Sequence, residues 1–115
     1  MAKDDYYTVV AKILVYLYKK IKGDPVEPEY LMYGTKDFPI TEEYFLYILE
    51  MMQRQNFIEG LFILKTMGGT IYKAEWNNIR ILPPGIDYLK ENPTIRKVCE
   101  GLKEAAPLAS FFAEF

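Results

Sequence analysis

Few side chains in this sequence are of the types that carry out catalysis. The 115 residues include no histidine and one cysteine, Cys99. The absence of histidine excludes Ser-His-Asp and Cys-His nucleophiles and removes the commonest general base. One thiol without any imidazole does not supply a transition-metal site, and we expect Cys99 to be a buried, unreactive thiol on a helix. We therefore predict a protein that is not an enzyme and that holds no metal or cofactor.

Two pairs of adjacent carboxylates could in principle transfer protons, Asp4 with Asp5 and Glu42 with Glu43. Each pair stands where a helix is predicted to begin, and acidic side chains stabilise that end of a helix. A structural role therefore explains both pairs. Residues 68–70, Gly-Gly-Thr, lack the glycine and lysine spacing of a phosphate-binding loop, and they predict the tight turn of a β-hairpin instead.

The composition indicates one small domain that is rich in aromatic residues. Ten tyrosines and seven phenylalanines are more than a small core encloses, so some must face outward, and the net charge is −2. The N-terminus lacks a signal-like apolar core, and the longest apolar stretch, residues 9–18, contains Lys12 and is shorter than the ~20 residues that span a bilayer. A single cysteine fits a reducing compartment. We expect a cytoplasmic protein without membrane contact.

Periodicity predicts a first helix over about residues 5–22, in which one stripe of apolar residues is buried. The stripe consists of Tyr6, Val9, Val10, Ile13, Leu14, Leu17 and Ile21. A proline-containing connector over residues 23–40 follows, and Pro28 predicts a short helical turn there. Residues 57–65 and 70–75 predict the two strands of a hairpin. Residues 83–92 predict a short helix, and Asn92 and Pro93 begin the last one, which precedes an apolar tail at 107–115.

Residues 40–60 contain the clearest helix. Thr41 is a suitable N-cap, and Asn56 suits the left-handed residue that ends a helix. Phe45, Ile48, Leu49 and Met52 form one apolar face. Leu46, Tyr47 and Met51 make the opposite face apolar as well, and this is unusual for a surface helix.

The order helix, short helix, helix, hairpin, helix is that of a winged helix, and one segment strengthens this interpretation. Residues 81–92, ILPPGIDYLKEN, resemble the junction between wing and last helix in such domains, where Ile-Thr-Pro-Lys-Gly-x-x-Tyr-Leu is common. Together with residues 40–60, this segment resembles the YjcQ-like family of small bacterial and phage proteins over about residues 5–105. Leu82 and Pro84 depart from the pattern, because they replace the usual hydroxyl and basic residues. The resemblance implies an α+β, mainly helical winged-helix domain, no catalytic residues, and DNA binding.

Some residues of the sequence favour DNA binding, and others oppose it. In a winged helix the helix at 41–56 would enter the major groove, and the possible contacts are Gln53, Arg54, Lys65, Lys73 and Arg80. The same helix carries three glutamates, two of them in its first turn, and these oppose an approach to phosphate. Solvated surface charge is the alternative explanation of these cations.

Protein association is the other predicted function. Candidate interface residues are Leu46, Tyr47, Met51 and Trp76, with Phe111, Phe112 and Phe115 of the tail. This apolar surface predicts a homodimer or another protein partner. The alternative is that the connector or the tail covers it within one chain. We favour a winged-helix interaction module, with a DNA-binding regulator as the alternative, and no small-molecule substrate is evident.

Overall fold

A computed structural model describes residues 6–104, which form four α-helices, one 3₁₀ turn and four short strands. In chain order they are α1 (Tyr6–Ile21), the turn Pro28–Tyr30, α2 (Glu42–Arg54), β1 (Ile58–Glu59), β2 (Phe62–Lys65), β3 (Ile71–Glu75), β4 (Arg80–Ile81), α3 (Pro83–Glu91) and α4 (Pro93–Glu104). About half of the described residues are helical. The α+β class is confirmed, and the layout is winged-helix-like.

Helix α1 occupies the centre of the molecule and contacts α2, α3, α4 and β4. The expectation of a single buried stripe was wrong, because side chains on nearly all sides of α1 are buried, including Lys12 at 1% exposure and Tyr16. Ile21, which belonged to the predicted stripe, is 49% exposed at the C-terminal end of the helix. The burial of α1 is wider than predicted because the connector between α1 and α2 packs against it.

The connector between α1 and α2 folds back over α1. Its Tyr30 ring stacks on Tyr16 with centroids 5.5 Å apart, and its Phe38 side chain is fully buried. The Lys12 ammonium donates a hydrogen bond of 2.7 Å to the backbone carbonyl of Asp37. A lysine inside the core is therefore satisfied by connector backbone, as a buried charge requires. The short turn predicted at Pro28 is present.

The strands form one interrupted antiparallel hairpin. At its base β1 pairs with β4, with Ile58 opposite Ile81, and further out β2 pairs with β3. We call β2, β3 and their connecting turn, residues 62–75, the wing. The prediction of one continuous strand over 57–65 was wrong, because Gly60 has φ of +93° and breaks it. A Cβ at Gly60 would collide with the Asn78 carbonyl, so only glycine fits there.

The segment that carries the family resemblance joins the hairpin to α3. A Cβ on Gly85 would collide with the Phe57 carbonyl oxygen, which explains the glycine of the pattern. The Tyr88 ring stacks on Phe57 with centroids 4.4 Å apart. Leu82 precedes α3 without a side-chain cap, as expected from the lost hydroxyl, and two prolines begin the helix. Asn92 caps α4 as predicted, since its Oδ1 accepts from the Ile95 amide at 3.1 Å.

Candidate interaction surface

Helix α2 and the wing enclose a groove, and both were expected to carry functional residues. Thr41 caps α2 as predicted, because its hydroxyl accepts a hydrogen bond from the Tyr44 amide at 3.2 Å. Asn56 has φ of +63° and turns the chain from α2 into the hairpin, again as predicted. These two local signals fix where α2 begins and ends.

At the C-terminal end of α2, Gln53 is bonded to the strand break. Its side-chain amide donates to the Leu61 carbonyl oxygen at 3.2 Å, and its Oε1 accepts from the Leu61 amide at 2.8 Å. The break at Gly60 takes Leu61 out of strand pairing, and Gln53 replaces both missing backbone partners. Gln53, a candidate DNA contact, therefore has a structural role here.

The four cationic candidates are all engaged by neighbouring carboxylates. One Glu50 oxygen accepts from Lys65 at 2.9 Å and from Arg54 at 3.2 Å. We call Glu50, Gln53, Arg54, Leu61 and Lys65 the ion-paired end of the groove.

The other two cations lie on the hairpin itself. The Arg80 guanidinium is hydrogen-bonded to the Glu59 carboxylate on the paired strand. The Lys73 ammonium lies 4.0 Å from a Glu75 carboxylate oxygen two residues along β3. A cation that contacts a carboxylate attracts phosphate less strongly than an unpaired one, because the two fields partly cancel.

The N-terminal end of α2 faces the wing across an open space of about 610 Å³. Glu42, Glu43 and Leu46 line its helix side, and residues 70–74 with Trp76 line its wing side. We call this space the acidic cleft. Leu46 is 2% exposed, so the expected outward position was wrong; the wing and Trp76 lie beside it.

An aromatic cluster holds the floor of the acidic cleft in place. The Trp76 indole N–H donates to the Leu31 carbonyl at 3.0 Å, and its ring lies edge-on to Phe45, with centroids 5.4 Å apart. Phe45 in turn meets Phe38 of the connector in an edge-to-face contact at 5.9 Å. Trp76, predicted as an interface residue, is partly buried and is tied to the connector.

A second surface gathers five tyrosines from three helices. Tyr6 and Tyr7 from the start of α1 meet edge-to-face at 5.3 Å. Burial raises the pKa of Tyr6, and repulsion from the ionised forms of the nearby Tyr88, Tyr47, Tyr7 and Tyr44 raises it further. We call these five residues the tyrosine face. Tyr47 is 51% exposed and Tyr7 is 42% exposed, so the face is open to solvent.

The remaining interface candidates are divided between partly buried and undescribed residues. Met51 is partly buried on α2. Phe111, Phe112 and Phe115 lie outside the described residues, as do Asp4 and Asp5. Sequence reasoning missed Phe62 and Leu64, which are half-exposed on one face of β2. Their alternate spacing on a strand was the signal that could have identified them.

Chemically reactive groups are few in the described part of the chain. Cys99 is buried in α4, and burial raises the pKa of its thiol to about 11, so the thiolate is scarce at neutral pH. Within residues 6–104 no three acidic or thiol side chains come together as metal ligands would. No helix in this range combines the length and the apolar character needed to cross a membrane.

Comparison with known proteins shows a match at the level of a family. No curated protein and no solved structure matches the chain. A family model described as "YjcQ protein" matches residues 11–107, which is most of the sequence. The match includes α2, the hairpin and the wing-to-helix junction at residues 81–92. On this match, the chain belongs to the YjcQ protein family.

Proposed function

We propose that this chain is a non-enzymatic protein-interaction module, and that it forms a homodimer through the tyrosine face. The observation that carries the proposal is the packing of α1 against α2 and α3, which brings the tyrosines of these helices near Tyr6 and leaves Tyr7 and Tyr47 about half exposed. Tyrosine is enriched in protein interfaces, because its ring supplies contact area and its hydroxyl a hydrogen bond.

A second copy of the chain is the partner that this surface fits. Phenols are neutral at pH 7, so two such faces meet without like-charge repulsion. In a two-fold dimer each face contacts its own equivalent, and tyrosines that both donate and accept hydrogen bonds are self-complementary. Edge-to-face and stacked ring pairs across the axis would each add about 0.5–1.5 kcal/mol.

DNA binding is the alternative, and the winged-helix-like layout favours it, since α2 takes the place of a recognition helix. Against it, four of the five candidate contacts are hydrogen-bonded within the chain, and the fifth, Lys73, lies 4.0 Å from a Glu75 carboxylate oxygen. The first turn of α2 also presents Glu42 and Glu43. Direct base contacts need side chains free to reach the groove.

The test of the dimer is the absolute mass in solution by light scattering over a wide range of concentration. We expect a dimer for the natural sequence and a monomer for Tyr47→Asp, because the substitution places two negative charges at the two-fold interface. Met67→Asp is the matched control, because it adds the same charge at the fully exposed tip of the wing. A monomer at every concentration contradicts the proposal, and so does a dimer that Tyr47→Asp leaves intact.

The DNA alternative is tested in parallel by fluorescence anisotropy of a labelled duplex at about 50 mM salt, where phosphate contacts are strongest. We expect no saturable binding. Binding that weakens with added salt and is lost in Lys65→Glu would replace the interaction proposal with the DNA-binding one.

A further inference from the structure

The acidic cleft is a second surface, formed by residues other than those of the tyrosine face, and its dimensions suit a peptide segment. Its volume of about 610 Å³ lies within the ~300–1,000 Å³ typical of ligand sites. The two walls differ in kind, since one is the first turn of α2 and the other is a strand with the indole ring of Trp76. The strand wall indicates what can bind.

The strand wall is the backbone edge of β3. Alternate residues of a strand point to opposite faces, yet residues 70–74 all line the cleft, so the edge itself lies along it. Within the described residues β3 pairs only with β2, and its other edge therefore keeps unpaired amide and carbonyl groups. An extended peptide can add to such an edge as a further strand.

A bulge limits the length of that added strand. Leu64 pairs with Lys73 and Lys65 pairs with Ile71, so Tyr72 is left without a partner in the register. Bulges interrupt strand edges and restrict pairing to one side. Side-chain contacts must therefore contribute a large part of the affinity.

The floor of the cleft offers an apolar side-chain contact. Leu46 and Ala74 provide aliphatic surface, and the Trp76 ring is held by its hydrogen bond to Leu31 and by its contact with Phe45. A floor that is fixed before binding costs little ordering entropy when a ligand arrives. An aliphatic side chain of a peptide fits here.

The rim of the cleft selects a basic partner. Glu42 is oriented by the Tyr33 hydroxyl, which donates to its Oε2 at 3.1 Å. Glu43 forms no ion pair with any residue between 6 and 104. The one cation of the lining, Lys73, is shared with Glu75. Negative charge therefore exceeds positive charge around the opening, and a Lys or Arg of the partner complements it.

We propose that the acidic cleft binds an extended, basic segment of another protein. The segment adds as a short strand to β3, places an aliphatic side chain over Leu46 and Trp76, and places a Lys or Arg side chain beside Glu42 and Glu43. This site shares no residue with the tyrosine face, although Glu43 lies one helical turn from Tyr47. The two proposals are tested by different measurements, peptide binding and mass in solution.

Trp76 is the only tryptophan in the chain, so its fluorescence reports on the cleft. The probe is the blocked peptide Lys-Val-Lys-Val-Lys, titrated into the protein at low salt. We expect a saturable change in Trp76 emission that weakens with added salt. The peptide Glu-Val-Glu-Val-Glu should give none. A lysine peptide N-methylated at every internal residue should bind at least tenfold more weakly, because neither of its edges can donate amide hydrogen bonds to β3.

Substitutions in the protein distinguish binding at the acidic cleft from non-specific attraction of a basic peptide to an acidic protein. The double variant with Glu42→Gln and Glu43→Gln should bind the lysine peptide at least tenfold more weakly. Glu91→Gln, which removes an exposed carboxylate at the end of α3, should leave the affinity for the peptide unchanged. Circular dichroism checks that each variant is folded. Equal binding to all variants, or no change in Trp76 emission, overturns the proposal. Release of a dimer by the lysine peptide would identify a second copy as the occupant and overturn it as well.

Discussion

The two ends of the groove between α2 and the wing use their charges in opposite ways. At the ion-paired end, Glu50 accepts from both Arg54 and Lys65. At the acidic cleft, Glu43 has no such partner among the described residues, and Glu42 accepts only from a neutral phenol. At the first end the carboxylate is satisfied within the chain, and Glu50, Arg54 and Lys65 together keep a net charge of +1. The second end keeps its negative charge available.

The same contrast holds for the backbone. Gln53 supplies both hydrogen bonds that Leu61 lacks after the strand break. Along the cleft, by contrast, one edge of β3 has no strand beside it in the described residues. The comparison teaches that, within the described residues, hydrogen bonds and ion pairs join α2 to the hairpin only at the C-terminal end of the helix. At the N-terminal end Leu46 is buried beside the wing, and the polar groups there are available to a partner.

Phe45→Ala should have the largest effect, because Phe45 is fully buried and supports the floor of the cleft. Loss of a buried phenylalanine costs about 3–5 kcal/mol of unfolding free energy. Phe62→Ala, which removes a half-exposed ring from the outer face of the wing, should cost about 1 kcal/mol or less. Urea denaturation measures both. If both variants lose the same unfolding free energy, the aromatic cluster does not stabilise the floor of the cleft.

Gln53→Ala tests the attachment at the other end. The Leu61 amide and carbonyl would lose their partners in a partly buried site, at a cost of about 2 kcal/mol. Gln55→Ala is the control, since that exposed side chain follows α2 without such bonds. Amide exchange at Leu61 should accelerate in the first variant alone. An unchanged exchange rate would mean that Gln53 does not hold the strand break.

The local features of this fold were predictable from short stretches of sequence. Thr41 and Asn92 act as caps and Asn56 ends α2, as predicted, and the wing turns at residues 67–69, which include both glycines of the predicted turn. Each depends on contacts within a few residues. The same is true of Glu50 with Arg54, whose spacing of four residues is that of a helical ion pair.

Features that depend on contacts distant in sequence were not predictable. Helical periodicity predicts that the Leu46 side chain faces solvent. In the structure Trp76, thirty residues further along the chain, lies beside it. Lys65 reaches Glu50 only because Gly60 breaks the strand and sets the direction of the wing. The tyrosine face likewise needs the packing of three helices, although Tyr6, Tyr7, Tyr44 and Tyr47 are visible as pairs in the sequence.

Glu50→Gln would convert the ion-paired end into one with free cations. Exposed ion pairs contribute about 1 kcal/mol or less, so stability should hardly change. Lys65 and Arg54 would become available to phosphate, and we expect weak duplex binding at about 50 mM salt that the natural sequence lacks. Glu91→Gln changes net charge equally without freeing either cation. If the anisotropy of the labelled duplex does not change with either variant, ion pairing is not the reason that this surface does not bind DNA.

The smallest expected effect concerns the rim of the cleft, where the hydrogen bond to Glu42 raises the pKa of Tyr33, with a further contribution from the carboxylate charge. The sign follows from the neutral phenol, which donates to the carboxylate, whereas the phenolate is repelled by it. This stabilisation is therefore present below the ordinary tyrosine pKa and is lost as pH rises through the raised value.

Glu42→Gln should lower the pKa of Tyr33 toward its ordinary value, because the amide still accepts a hydrogen bond but carries no charge. Glu43→Gln should leave that pKa unchanged, since no contact joins Glu43 to Tyr33. NMR titration of ¹³C-labelled tyrosine measures both, with Tyr33→Phe to assign the resonance. If Glu42→Gln leaves the pKa of Tyr33 unchanged, the phenol does not orient the Glu42 carboxylate. The acidic cleft would then be open, but its carboxylate would not be held in position for a cation before binding.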